Sequence, residues 1–164
     1  MRKTLLIVFH SMTGGAAQMA QAAATAADAQ TGLRVLLRRA SEIGPDAILS
    51  ADGYLFVTPE NLGAVAGLMK DFFDRCYYPA LGRIEGRPYA SLICAGSDGQ
   101  NAARQIERIV TGWRLRAIAD PLIVLTHAQT PEEILRPKTL PAAELARCAE
   151  LGELIAAGLT LGIF

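Results

Sequence analysis

The stretch Thr4 to Ala20, TLLIVFHSMTGGAAQMA, limits the folds open to this chain more than any other. Leu5-Leu6-Ile7-Val8-Phe9 is an apolar run too short for a helix and without periodicity, as expected of a strand buried on both faces. Ser11, Thr13, Gly14 and Gly15 follow, and an alanine-rich helix begins at once. A strand, a small-residue turn and a helix N-terminus together make an anion cradle. The first-turn N–H groups lack internal partners, and the helix dipole favours negative charge. Gly14 and Gly15 are expected to let the backbone approach a phosphate closely and to supply any positive φ the turn needs. No Lys or Arg lies between His10 and Ala20, so the anion is expected to rest on neutral donors. A Walker-type loop, which needs Gly-Lys-Ser/Thr, is thereby excluded, and the dinucleotide fingerprint G-x-G-x-x-G is absent.

The same strand-then-helix unit recurs along the chain. Gly32 closes the first unit, and Leu33 to Leu37 reads as a second strand. Ala40 to Ala51 contains Pro45 and reads as a connection with at most a short helix. Tyr54 to Val57 is a third buried strand, and Thr58 to Gly63 the loop after it; Pro59 biases Thr58 to an extended conformation. A helix is predicted from about Val65 to Tyr77, with Leu68, Met69, Phe72, Phe73 and Cys76 inward. Lys70–Asp74 and Asp71–Arg75 are its outward i,i+4 pairs. Tyr89 to Cys94 is a fourth strand, Ala95 to Asn101 a glycine- and hydroxyl-rich loop, and a helix follows to about Thr111 with Ile106, Ile109 and Val110 inward. Leu122 to Leu125 is a fifth strand, and a Pro-containing linker from Gln129 to Pro141 leads to a last helix. Alternating β and α elements imply a parallel sheet covered on both faces, here five strands in one domain over residues 1–164.

Three loops follow the carboxyl ends of buried strands: Ser11 to Ala16, Thr58 to Gly63 and Ala95 to Asn101. Ligands of open α/β sheets sit outside those ends, where the strand order reverses. An order of 2-1-3-4-5 brings these three loops together. The first suits a phosphate; the other two offer backbone groups and short polar side chains to a flat heteroaromatic ring. Charge narrows the partners. Lys+Arg and Asp+Glu balance at 16 each, which argues against nucleic acid and against a strongly acidic electron carrier. The apolar runs are strand-length, so no membrane span is expected. Met1-Arg2-Lys3 runs straight into the first strand without a cleavage site. Cys76, Cys94 and Cys148 have no metal-ligand or C-x-x-C spacing and read as reduced structural cysteines of a cytoplasmic protein.

On these residues the chain resembles the flavodoxin-like NAD(P)H-dependent FMN reductases and quinone reductases. Ser11-Met12-Thr13-Gly14-Gly15 resembles their phosphate loop, Ser-x-Thr-Gly followed by a polar residue and Thr. Thr58-Pro59-Glu60-Asn61, continuing through Gly67-Leu68-Met69-Lys70-Asp71 to Asp74-Arg75, resembles their second flavin loop and its helix. Ala95-Gly96-Ser97-Asp98-Gly99 resembles the third. The resemblance runs from about Leu5 to Ile109, in order and spacing. It implies a flavodoxin-like three-layer α/β fold, bound FMN and hydride transfer from NAD(P)H to a small-molecule electron acceptor such as a quinone. It also implies a homo-oligomer. By the same resemblance, Ser11, Met12, Thr13, Gly14, Gly15 and Ala16 would surround the FMN phosphate, and Thr58, Pro59, Glu60, Asn61, Gly96, Ser97, Asp98 and Gly99 the ring.

Two positions depart from that pattern. Ala16 stands where the family has the last Thr, one hydroxyl fewer, and Asn61-Leu62 stand where an aromatic often follows Pro-Glu. No acid–base pair, nucleophile or metal set stands out, and hydride transfer through a flavin requires none. His10 reads as a flavin contact or a buried structural histidine, and Tyr77 and Tyr78 as packing or a pocket wall. The apolar tail, Leu159 to Phe164, is expected to dock on the body or on another subunit. A flavodoxin-type electron carrier and a module of this fold without FMN are the alternative readings. A receiver domain and a low-molecular-weight phosphatase are excluded: His10-Ser11 and Thr58-Pro59 stand where the first needs acids, and the first loop lacks the Cys of the second.

Overall fold

The computed structural model describes residues 2–164, so Met1 of the Met1-Arg2-Lys3 lead lies outside the described residues. In chain order the elements are β1 (Lys3–Phe9), α1 (Gly15–Asp28), β2 (Leu33–Arg39), a 3-10 turn (Ala40–Glu42), α2 (Pro45–Ser50), β3 (Gly53–Asn61) and β4 (Ala64–Val65). Then come α3 (Gly67–Ala80), β5 (Pro88–Ala95), α4 (Gln100–Thr111), β6 (Arg116–Ala117), β7 (Leu122–Leu125), α5 (Pro131–Leu135) and α6 (Ala142–Leu161).

The main sheet runs β2-β1-β3-β5 in parallel, and β6 and β7 both pair with β5 along its outer edge. The expected order therefore holds, but the strands number seven rather than five. Two local causes account for the difference. The fifth strand is split, with β6 beside the start of β5 and β7 beside its end; Pro121, which has no N–H to give a ladder, precedes β7. In addition, β3 does not end at Val57. It continues to Asn61 and folds back as antiparallel β4, through a two-residue turn in which Leu62 and Gly63 have φ of 51° and 70°. Positive φ at both central residues is the hairpin turn whose twist matches its strands. The segment read as a loop, Thr58 to Gly63, is thus a strand end and a hairpin, and α3 starts at Gly67 because Ala64 and Val65 are used in pairing.

Alternate residues of each strand point to opposite faces, which explains the unbroken apolar runs. Leu5, Ile7, Leu55, Val57 and Leu92 meet α1 and α6 on one face; Leu6, Val8, Tyr54, Phe56 and Ile93 meet α3 and α4 on the other. The alanines of α1 let α6 approach so closely that any Cβ at Gly152 would collide with the Ala23 backbone. On α3, Met69, Phe72, Phe73 and Cys76 are buried as expected, but Leu68 is 46% exposed. It stands one residue, about 100°, off the i, i+3, i+4, i+7 stripe. Lys70–Asp74 and Asp71–Arg75 both form at 2.7 Å. Trp113 is in the core, its indole N–H donating to the Tyr77 carbonyl at 3.3 Å. All three cysteines are free and buried. The tail turns back on the body, with the Phe164 ring against Gly158 and under Arg116. Among the described residues, no helix is long and apolar enough to cross a membrane.

Candidate functional site

Registers that pair Phe9 with Val57, and Pro59 with Cys94, end β1, β3 and β5 at a common edge. There a cavity of about 430 Å³ opens, within the roughly 300–1,000 Å³ usual for small-molecule sites. Of the residues singled out in the sequence, it gathers Thr13, Pro59, Glu60, Asn61 and Gly96. Leu62, Cys94 and Ala95 complete that side, and Thr126, Ala128, Ile134 and Lys138 form a further wall.

The first loop is held by its own side chains. Gly14 has φ 95° and stands at the N-cap of α1, where it donates its N–H to Ser11 Oγ at 3.1 Å. That bond uses an acceptor lone pair of Ser11 and keeps its O–H available to an outside acceptor. No side chain caps α1, and no acid stands in its first turn, so the positive end of a 14-residue helix is uncapped, and Thr13 just ahead of it lines the cavity. Gly15 is a glycine for a different reason from the one expected. Its φ is not positive, but a Cβ there would lie 2.5 Å from Cys94 Sγ. The residue is fixed by what lies beneath it. Met12 is 79% exposed on the loop, and Ala16 is buried at 1%.

The second and third loops are tied to each other by the Glu60 carboxylate. Its two oxygens accept from Gly99 N–H at 3.0 Å and Ala102 N–H at 3.2 Å, so a residue of β3 caps α4. Gln105 Oε1 accepts from Val65 N–H at 2.7 Å, and Asn101 Nδ2 donates to the Gly63 carbonyl. The hairpin is thereby clamped onto α4 as a fixed wall. Leu62 at its tip is wholly exposed and carries a φ that a bulky residue rarely adopts. Thr58 is fully buried and outside the cavity lining; its hydroxyl donates to the Pro59 carbonyl at 3.0 Å and accepts from Ala66 N–H at 3.4 Å. Ser97 and Asp98 are exposed and stand apart from the lining, while Gly99 is buried with φ 82° beneath the α4 cap.

Charge in the cleft is sparse. Glu60 is spent on α4, and Lys138 is the one basic residue among those lining the cavity. Burial pushes the Cys94 thiol up to about 11, with Lys138 pulling the other way, so it is a protonated packing group at neutral pH. His10, beside the first loop, is held below the usual imidazole value by burial first and by Arg39 second. Tyr77 and Tyr78 lie on the α3 surface, their ring centroids 4.9 Å apart, and are not part of the lining. Among the described residues, no three His, Cys, Asp or Glu side chains cluster to hold a metal.

The wall from Thr126 to Lys138 is absent from the sequence expectations, because nothing local in its sequence points to a ligand. One signal is readable: Thr130-Pro131-Glu132-Glu133 is a capping box with proline at N1. In the structure Thr130 Oγ1 accepts from Glu133 N–H at 3.3 Å, and Glu133 accepts from Thr130 N–H at 3.2 Å, starting α5. The segment then crosses back to the first loop. Lys138 N–H donates to the Thr13 carbonyl at 2.8 Å, and the Gln18 amide donates to the Gly14 and Lys138 carbonyls and accepts from Leu140 N–H.

These donors suit a phosphomonoester joined to a flat ring. The uncapped α1 terminus and Thr13 at the cavity edge fit the phosphate, with Ser11 outside the lining and bonded to Gly14, and a cleft walled by backbone, Leu62 and Ile134 fits the ring.

Comparison with known proteins agrees with this geometry. A family model described as NADPH-dependent FMN reductase matches residues 45–130, just over half of the chain. A flavodoxin of Aquifex aeolicus is 30% identical over 95 residues, 58% of this chain and 51% of the relative. An NAD(P)H dehydrogenase (quinone) of Acidithiobacillus ferrooxidans is 32% identical over 43% of this chain and 46% of its own length. The chain thus spans about half the length of the curated relatives it matches. Among solved structures, a flavodoxin from the domain Archaea superposes with a TM-score of 0.76 at 15% identity, covering 96% of this chain and 99% of that one. That likeness concerns the fold.

Proposed function

The chain belongs to the NADPH-dependent FMN reductase family, and from that premise we propose that it binds FMN in the cleft above β1, β3 and β5 and transfers hydride from NAD(P)H to a quinone or similar small acceptor. The observation that carries the proposal is the uncapped α1 terminus directly behind Thr13, which lines a cavity at the carboxyl ends of those strands. Support for the nicotinamide donor comes from the family description, and for the quinone from the name of the Acidithiobacillus relative.

When bound, FMN supplies the redox chemistry through its isoalloxazine ring. The chain's own residues bind and orient. Ser11 and Thr13 hydroxyls and the first-turn N–H groups of α1 hold the phosphate. Backbone groups of Pro59 to Asn61 and of Gly96 border the ring, and Leu62 and Ile134 keep water from its edge. Thr58, Glu60 and Gly99 act one step back: they fix the hairpin and the α4 terminus against each other, so the site costs little reorganisation on binding. We place the protein in the cytoplasm, where its buried thiols stay reduced, and assign it to a homo-oligomer.

An absorbance titration with FMN, followed by anaerobic NADPH and then NADH, tests the reading. Flavin bands that shift on binding and bleach with either nucleotide are the expected result. Tightly bound FMN that neither nucleotide reduces identifies an electron carrier, the reading that the resemblance to a protein named flavodoxin favours. Protein that stays colourless refutes the cofactor assignment.

A further inference from the structure

We propose that Lys138 is the cation of the cofactor's phosphate site, supplied from a strap some 120 residues away in sequence from a loop that has no basic residue of its own. This rests on the FMN reading above and adds a residue that lies outside the matched family segment and outside the three flavin loops.

Four observations converge on Lys138. It lines the cavity, and no other Lys or Arg does so among the described residues. Its backbone is pinned on both sides, N–H to the Thr13 carbonyl of the first loop at 2.8 Å and carbonyl to Gln18 Nε2 of α1 at 2.7 Å. Its side chain leaves the strap against the α1 terminus: Cβ and Cγ both lie 3.7 Å from where a Cβ on Gly15 would stand. Its ammonium, finally, rests on carbonyl oxygens of Glu133, Ile134 and Arg136 at 2.6–2.8 Å, all on the exposed strap.

Those carbonyls are neutral and solvent-facing, so they hold the ammonium less strongly than a phosphate dianion can. From Cγ, rotation of the remaining side-chain bonds sweeps Nζ over the first turn of α1. No acid of the strap competes for it. Glu133 is engaged at the opposite end of α5 by the N–H groups of Gln129 and Thr130, Glu132 has no hydrogen bond to Lys138, and Glu60 is held on α4. A lysine placed in this way compensates for the hydroxyl that Ala16 lacks and gives the loop a preference for a phosphorylated over a neutral flavin.

The test compares FMN, riboflavin and inorganic phosphate on the parent, Lys138→Met and Lys138→Arg. Fluorescence titration of Lys138→Met is expected to show FMN weakened by at least about tenfold, riboflavin changed by less than about twofold, and a flatter dependence of FMN affinity on salt. Lys138→Arg restores most of the FMN affinity. Inorganic phosphate is expected to raise the melting temperature of the parent more than that of Lys138→Met. Equal weakening of FMN and riboflavin assigns Lys138 to holding the strap and overturns the proposal, as does unchanged FMN affinity. A parent that binds neither flavin removes the FMN reading while leaving the phosphate arm to decide Lys138: a phosphate response equal in parent and Lys138→Met overturns it, and one lost in the variant upholds it.

Discussion

Gly15→Ala probes whether the phosphate loop is glycine-rich for its ligand or for its packing. Gly15 has no positive φ, so alanine meets no backbone strain there and lowers the entropy of the unfolded chain, a gain of up to about 1 kcal/mol in a helix. The new Cβ, however, would stand 2.5 Å from Cys94 Sγ, whereas non-bonded heavy atoms settle at about 3.5–4.0 Å. The gap must widen by about 1 Å or more. Cys94 is 7% exposed in the α1 face of the core, so its sulfur can yield only toward the cavity it lines. Overpacking of this kind costs about 1–3 kcal/mol, so the net destabilisation expected is about 1–2 kcal/mol. Cys94→Ala removes the obstructing sulfur at a cost of about 1 kcal/mol, near the value of one buried methylene-sized group. In the double variant the methyl introduced by Gly15→Ala occupies the vacated space, so the two changes together should cost at least about 1 kcal/mol less than their sum. Urea denaturation followed by circular dichroism, with m unchanged across the four proteins, gives the cycle. Additivity within about 0.5 kcal/mol would refute the steric account. FMN titration of the double variant then separates the two roles. A stable double variant that binds FMN as the parent does leaves packing as the sole reason for Gly15, and one that is stable yet loses FMN shows that the anion also needs close backbone approach.

Three other outcomes are expected. Glu60→Ala strips two N–H partners from the α4 terminus and should lower stability by about 2 kcal/mol, with Glu60→Gln losing less; a urea midpoint equal to that of the parent would show that the cap contributes nothing. Ser11→Ala combined with Thr13→Ala should weaken FMN by about 1–3 kcal/mol, and equal affinity in the double variant and the parent removes the loop from the site. The third concerns pH. Because the folded protein holds the His10 pKa below the usual 6.5, the unfolded chain binds the proton more readily, so stability rises with pH between the two values and is level above them. Melting temperature should therefore fall as pH drops below about 6.5, and His10→Gln should flatten that slope; an identical slope in both proteins would assign the effect elsewhere.

The parallel sheet was legible because strands buried on both faces leave short apolar runs bounded by turn residues and alternating with helices, whereas its order followed from the likeness to flavodoxin-like folds and not from those runs. The local build of the first loop was legible for a related reason: Ser11 and Gly14 stand three residues apart, so the bond between them at the start of α1 is written locally. What escaped was long-range. Glu60 reads as a turn residue until α4 is seen to end above it, and Gly15 reads as a phosphate glycine until Cys94 is seen beneath it. Lys138 lies in a stretch whose only readable signal is the cap of α5, and its place against Thr13 depends on how the chain returns after β7. The hairpin was missed because Leu62-Gly63 lacks the Asn-Gly or Asp-Gly chemistry that usually announces such a turn.

The split of the edge strand into β6 and β7 has a consequence for how copies of this chain can meet. A continuous edge would offer a row of free N–H and C=O groups to a neighbour's sheet. Here one margin is interrupted between two short pieces with Pro121 in the gap, and the other, β2, carries Arg34, Arg38 and Arg39. Both margins therefore resist strand-to-strand joining. The row of strands stops growing at the boundary of each molecule.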